Sequence, residues 1–116
     1  MPQLVDAPVR VPVPGGKLIE EFIGHASTGT TSVSVARMHA PAGWEEPAQT
    51  PEFDEVTLVL SGVVQVEHDG GVLIVGAGQA VLTKAGERVR YLTPEGAEYV
   101  AVCLPAFTPD TVNREG

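Results

Sequence analysis

Short apolar runs separated by turn residues alternate along most of the chain. Val, Leu, Ile and Thr dominate the runs, while Gly, Pro, Ser and Asp cluster between them. This spacing is typical of an all-β sandwich or barrel, because each run is long enough for one strand and each cluster suits a turn. The predicted strands are Lys17–Ile23, Thr31–His39, Val56–Leu60, Val63–His68, Val72–Val75, Ala80–Thr83, Arg88–Leu92 and Tyr99–Leu104.

Both ends of the chain are expected to lie outside the main core. The alternating segment Val11-Pro12-Val13-Pro14 is confined by its prolines to a sheet edge or to an extended arm over residues 1–16. Residues 106–116 have little apolar content, which predicts a surface tail with a short turn. Because 116 residues leave room for one core, we predict a single domain, 1–116, with its core at about residues 31–105.

Charge and composition exclude several classes of function. The chain has 15 acidic and 7 basic residues and a formal net charge of −8, so no basic patch is available for nucleic acid or an anionic membrane. No apolar run approaches the roughly 20 residues of a membrane span, and the N-terminus lacks the features of a secretion signal. The single Cys103 cannot form an internal disulfide. We therefore expect a cytoplasmic protein with neither nucleic acid nor membrane as a partner.

Two segments carry glycines at the spacing of the cupin signature motifs, G-x5-H-x-H-x3-E-x6-G and G-x5-P-x-G-x2-H-x3-N. Gly43, Glu55 and Gly62 fall in register with the first motif, and Gly78 and Gly86 fall in register with the second. The core of the sequence therefore resembles the cupin superfamily. The resemblance implies an all-β double-stranded β-helix, which is a jelly-roll-like barrel, and a homodimer.

The metal ligands of the cupin family are mostly replaced in this sequence. Many cupins hold a transition metal through three histidines and the motif glutamate, but here Gln49, Pro51 and Val89 accompany Glu55. Proline and valine have no side-chain donor atom, and a neutral amide is a weak ligand for a transition metal. No cofactor is predicted, and the remaining alternative is a divalent cation held by Gln49 and Glu55 with waters and neighbouring groups.

Strand alternation predicts which side chains share the barrel interior with Gln49 and Glu55. The residues expected to face inward with them are Phe53, Thr57, Val59, Val89 and Tyr91. The residues expected to face outward are Asp54, Val56, Leu58, Leu60, Arg88 and Arg90. Three of the outward residues, Val56, Leu58 and Leu60, are too apolar for open solvent, which favours a homodimer or packing against another sheet.

Glu55 is the candidate catalytic residue. A carboxylate inside an apolar barrel has its ionised form disfavoured, so its pKa should rise towards neutrality, where it suits general acid–base catalysis. The alternative is a structural role, in which Glu55 hydrogen-bonds Tyr91 or Gln49. Gln49 and Tyr91 are candidate ligand-binding groups, with Phe53 and Val89 as walls of the same site.

The loop before Glu55 offers two further features. Trp44 could stack on an aromatic ligand or pack under the loop, and packing is favoured. The stretch from Glu45 to Glu55 contains five acidic residues and no basic one. Such a stretch could attract a cation to the barrel mouth, although a solvated acidic loop is the more common arrangement.

Three functions remain open from the sequence, and whether the protein is an enzyme stays open with them. The first is a barrel that binds a small organic molecule and acts as a metal-independent isomerase, cyclase or lyase through Glu55. The second is a non-catalytic ligand-binding or sensor cupin, and the third is a divergent metal-dependent enzyme of the dioxygenase type. The segments Asp54-Glu55, Val59-Leu60-Ser61-Gly62 and Val100-Ala101-Val102 are also similar to the ethanolamine-utilisation cupins, which lack the histidine set.

Overall fold

Nine antiparallel strands build the part of the chain that the computed structural model describes, residues 1–115. They are β1 (Val9–Val11), β2 (Leu18–Ile23), β3 (Ser34–Ala40), β4 (Trp44–Glu45), β5 (Asp54–His68), β6 (Gly71–Gly76), β7 (Ala80–Thr83), β8 (Val89–Thr93) and β9 (Ala97–Leu104). The strand order is β1-β2-β3-β9-β5-β8-β4, with β6 and β7 also paired to β5. Residues 1–115 form no helix that could span a membrane. The predicted all-β, jelly-roll-like barrel is confirmed.

The long strand β5 joins the two halves of the barrel. Its first part pairs with β7 and β9, and its second part pairs with β6 and β8. The register shifts between Val59 and Ser61, and Gly62 follows with a φ of 75°. A Cβ at Gly62 would lie 2.2 Å from the carbonyl oxygen of Gly96, so the bend requires glycine.

This bend corrects one detail of the sequence interpretation. The Ser61-Gly62 pair was expected to separate two strands, Val56–Leu60 and Val63–His68, but both belong to β5. The glycine bends a continuous strand from one sheet to the next, because a bulge absorbs the turn without reversing the chain. The short β4 is not among the predicted strands, whereas β7 has the predicted bounds.

Burial from Thr57 to Leu60 on β5, and along β8, follows the predicted alternation. Thr57 and Val59 are at most 1% exposed, while Leu58 and Leu60 are 41% and 45% exposed. On β8, Val89 and Tyr91 are buried and Arg90 is not. The main apolar core consists of Ala40, Trp44, Val59, Val64, Val66, Val75, Val89, Tyr91 and Tyr99.

The two chain ends pack more closely than their composition indicates. The strand β1 lies at the sheet edge beside β2, which agrees with the proline argument. The prediction of a surface tail over residues 106–116 is wrong for part of its length, because Ala106 and Val112 are buried. Phe107 packs edge to face on Phe53, with ring centroids 5.9 Å apart. Two aromatic rings and one valine are enough to hold this short segment against the barrel. Residue 116 lies outside the described residues.

Candidate functional site

A largely enclosed cavity lies inside the barrel, with the C-terminal segment forming part of its wall. The centre of a water molecule can reach about 60 Å³ of it. Strands β2, β3, β5, β8 and β9 supply most of the lining. Its charged or ionisable carboxyl, ammonium and guanidinium groups belong to Lys17, Glu21, Glu46, Glu55 and Arg114.

Four of the six predicted site residues meet at this cavity. Gln49, Phe53, Glu55 and Tyr91 all line it. Gln49 precedes β5 and is held by a two-way backbone bridge to β8, Phe53 immediately precedes β5, and Glu55 and Tyr91 lie on β5 and β8. Alternation along two paired strands therefore brings together side chains that are distant in sequence.

The structure places the other two predicted residues outside the cavity lining. Val89 is 3% exposed and belongs to the apolar core. Its backbone exchanges two hydrogen bonds with Gln49, at 2.8 and 2.9 Å, so it fixes the position of that residue. Trp44 is 7% exposed and packs in the core, which agrees with the packing interpretation.

Glu55 has the most perturbed carboxyl group of the cavity. Burial raises its pKa to about 7, the Lys17 ammonium opposes this rise, and the Glu46 carboxylate adds to it. Within residues 1–115, neither the Tyr91 hydroxyl nor the Gln49 amide makes a hydrogen bond to Glu55. Glu55 therefore changes its protonation state close to neutral pH while facing the cavity.

Tyr91 contributes a wall to the cavity but keeps its hydroxyl occupied. Its hydroxyl oxygen lies 3.1 Å from Thr83 Oγ1, and both side chains are buried. Burial and, secondarily, the negative charge of Glu55 raise the pKa of Tyr91. Tyr91 is thus a neutral hydrogen-bonded phenol, and it is not poised to lose a proton.

The family of this chain is shown by its similarity to known proteins. The sequence profile of the AraC-binding-like domain matches residues 10–115 of the chain. The chain belongs to this family. The AraC-binding-like domain is a cupin-type domain, so the resemblance carried by the glycine motifs is confirmed.

Two curated proteins illustrate how this AraC-binding-like domain occurs within longer chains. It is 49% identical over 107 residues to the endoribonuclease YbeY of Myxococcus xanthus, covering 90% of this chain and 36% of that protein. It is 32% identical over 57 residues to the acetate kinase EutQ of Salmonella typhimurium, covering 49% of this chain and 25% of that protein. The chain thus spans about a third or less of the length of each.

A solved structure supports the fold over nearly the whole domain. The RmlC-like cupin from Shewanella frigidimarina superimposes with a TM-score of 0.74 at 16% identity, covering 90% of this chain and 89% of that one. At this level of identity, the similarity concerns the barrel and not its chemistry.

The donor set of this AraC-binding-like domain does not fit a histidine-bound metal. The positions of the cupin ligands hold Gln49, Pro51, Glu55 and Val89, and Pro51 and Val89 are buried without a side-chain donor. Within residues 1–115, no group of three His, Cys, Asp or Glu side chains is arranged to hold a metal ion. Only an amide and a carboxyl remain, which is a poor set for a transition metal.

Four charged residues of the cavity are not among the predicted site residues: Lys17, Glu21, Glu46 and Arg114. Lys17 lies just before β2, with its Nζ 4.1 Å from the centroid of the Trp44 ring. Glu46 and Arg114 form an ion pair at 3.6 Å. Alternation could have found Lys17, because Ile19 is two residues further along and is buried.

Burial shifts the pKa values of Lys17 and Glu46 in opposite directions. It lowers the pKa of Lys17, while the Glu46 and Glu55 carboxylates work against this change. Burial raises the pKa of Glu46, and the positive charges of Lys17 and then Arg114 oppose it. The acidic residues of this loop therefore have different environments. Glu46 turns towards the barrel, and Glu45 remains exposed.

Proposed function

We propose that this small cupin protein holds a small organic molecule in its barrel cavity and that Glu55 exchanges a proton with it. The observation that carries the proposal is the position of Glu55 on the cavity wall with a pKa of about 7. A group with such a pKa is available both as an acid and as a base near neutral pH. The reaction class that suits it is a metal-independent isomerisation, cyclisation or elimination.

The surrounding groups support this role for Glu55. Gln49 supplies an amide that can orient a polar group of the ligand, and the Phe53 and Tyr91 rings supply walls. The Lys17 ammonium can stabilise negative charge that develops on a substrate when Glu55 removes a proton. Acid–base chemistry therefore needs only groups that already line the cavity.

A non-catalytic ligand-binding or sensor function is the second candidate. One observation favours it: the Tyr91 hydroxyl is engaged by Thr83, so it is not free to act with Glu55 as a second acid. Proton transfer in two steps often uses two groups, whereas binding needs only a polar cavity. The same site would then bind without conversion.

The named activities of the curated relatives belong to chains much longer than this one. The chain spans 36% of the endoribonuclease YbeY and 25% of the acetate kinase EutQ. A formal net charge of −8 also disfavours RNA as a partner. A metal-dependent reaction is disfavoured by the donor set of Gln49 and Glu55.

Ligand screening followed by product analysis distinguishes the two candidates. A library of small carboxylic acids, amines, polyols and carbonyl compounds is screened by thermal shift, and each hit is followed by NMR for conversion. We expect conversion by the wild type that is lost in Glu55→Gln and kept in Glu95→Gln, an exposed turn residue. Binding without conversion favours the sensor function, and conversion that survives in Glu55→Gln removes Glu55 from the mechanism.

A further inference from the structure

Lys17 is half-buried at the cavity wall, and no carboxylate of residues 1–115 is in contact with its ammonium. Among the ion pairs of residues 1–115, Glu46 is engaged by Arg114, and no carboxylate oxygen lies within 4 Å of Lys17 Nζ. The Nζ instead lies over the rings of Trp44 and Tyr99, at 4.1 and 5.4 Å. Cation–π contacts compensate a desolvated ammonium only in part. The ammonium is therefore suited to receive an anionic group.

Gln49 also lines the cavity, and within residues 1–115 its side chain carries the second unpaired polar group. Its side chain is 3% exposed, and Oε1 has no hydrogen-bond partner within the described part of the chain. A buried amide oxygen without a partner destabilises the folded state. A ligand that donates a hydrogen to this oxygen would remove that destabilisation.

The other charged groups of the cavity wall are paired or can become neutral. The Lys17 ammonium and Gln49 Oε1 are therefore the groups available to a ligand. The buried carboxylate of Glu21 accepts hydrogen bonds from the backbone of Ala26 and Ser27, at 3.0 and 2.9 Å. Glu46 is paired with Arg114. Glu55 takes up a proton near neutral pH, so it does not hold a fixed negative charge against an incoming anion.

The size of the cavity favours a small ligand. The centre of a water molecule can reach about 60 Å³ of it, which leaves room for several waters. This space suits a molecule with two or three carbons and is small for a hexose. The polar groups and the volume therefore point to one class of ligand.

We propose that the cavity binds a short-chain hydroxycarboxylic acid, whose carboxylate contacts Lys17 and whose hydroxyl donates a hydrogen bond to Gln49 Oε1. This inference rests on the proposed function, because it assumes that the barrel cavity is the ligand site. It goes further in naming the ligand class and the two residues that recognise it. Lys17 selects the charge, and Gln49 selects the hydroxyl.

The first test uses the wild-type protein and three probes. Glycolate carries both groups, acetate lacks the hydroxyl, and glycolamide lacks the negative charge. Isothermal titration calorimetry near neutral pH should rank glycolate first, with about tenfold or greater loss for glycolamide and a smaller loss for acetate. Equal binding of glycolate and glycolamide would overturn the inference.

The second test assigns the recognition to its residues. Lys17→Met removes the charge while keeping an apolar stem, and it should weaken glycolate binding by about tenfold or more. Lys84→Met is the matched control, because Lys84 is the other lysine and is 65% exposed. Gln49→Leu should abolish the preference for glycolate over acetate. Unchanged glycolate binding in a folded Lys17→Met variant would contradict the proposal.

The outcomes separate this inference from the proposed function. If amines or neutral polyols bind in the cavity and carboxylates do not, the ligand class is wrong and the proposed site stands. If no small organic molecule of any charge binds, the proposed function fails and the inference fails with it. If glycolate binds but is not converted, the ligand class stands and the sensor function gains support.

Discussion

At the scale of single residues, Glu55 and Lys17 each reduce the shift that burial causes in the other's pKa. Burial drives Glu55 towards its neutral acid and Lys17 towards its neutral amine, and each opposite charge resists that change. Burial and the neighbouring opposite charge therefore shift each pKa in opposite directions. The result for Glu55 is a pKa near 7, which neither burial nor ion pairing alone would produce.

This balance predicts how the stability of the protein depends on pH. The pKa of Glu55 is raised from 4.5 to about 7 on folding, so its stabilising contribution is present below 4.5 and is lost as the pH rises through about 7. Glu55→Gln stays neutral, and it should therefore gain stability over the wild type between pH 5 and pH 9. The gain should approach about 3 kcal/mol, since each pH unit between 4.5 and 7 corresponds to about 1.4 kcal/mol.

Urea unfolding of both proteins at several pH values measures this difference. Glu95→Gln serves as the control, because Glu95 is exposed in a turn, and it should show no such trend. A constant difference between Glu55→Gln and the wild type from pH 5 to pH 9 would mean that Glu55 stays ionised throughout.

Two charged residues of the site, Lys17 and Glu46, are hard to detect in the sequence, for reasons that concern single residues. Lysine is usually exposed, so the only signal that Lys17 turns inward is its position two residues before Ile19. Glu46 belongs to an acidic stretch, and such stretches are usually exposed to solvent. Its burial depends on Arg114, which arrives from the other end of the chain. Contacts between distant segments of low apolar content leave no local pattern to detect.

At the scale of elements, the central strands were predictable and their connections were less so. The inward positions of Thr57, Val59 and Tyr91 follow from period-two alternation once one inward residue is fixed. Alternation is set by backbone geometry, and therefore it survives changes in partner strand. The continuity of β5 through Gly62 leaves no signal in the sequence, because a glycine in a bulge and a glycine in a turn look alike.

Gly62 and Gly78 provide a matched pair that tests the bend in β5. Both have positive φ angles, 75° and 80°, but a Cβ at Gly62 would meet backbone at 2.2 Å whereas a Cβ at Gly78 would meet nothing within 4 Å. Gly78→Ala should cost about 1 kcal/mol from backbone strain alone. Gly62→Ala should cost about 3 kcal/mol or more, measured by denaturant unfolding. Equal losses would mean that the chain relieves the clash by shifting β9.

At the scale of the whole molecule, an outer face of the barrel formed by β5, β7 and β9 is apolar. The strand register places Val56 between Leu82 and Val102, and it places Leu58 beside Val100. Leu58 and Leu82 are 41% and 57% exposed. Contiguous apolar surface of this kind commonly marks an interface between subunits.

We expect this face to pair with a second copy of the chain, as the sequence predicts. Two such faces related by a two-fold axis would bury the same residues from each subunit, which is the usual form of a homodimer. Analytical ultracentrifugation should then give a mass near twice 12.1 kDa. Leu58→Lys places a charge on the face and should shift the protein to the monomer, while Val72→Lys, on β6 and 53% exposed, should leave the dimer intact. A monomeric wild type, or a dimer broken by Val72→Lys and not by Leu58→Lys, would show that the apolar face of β5 has another purpose.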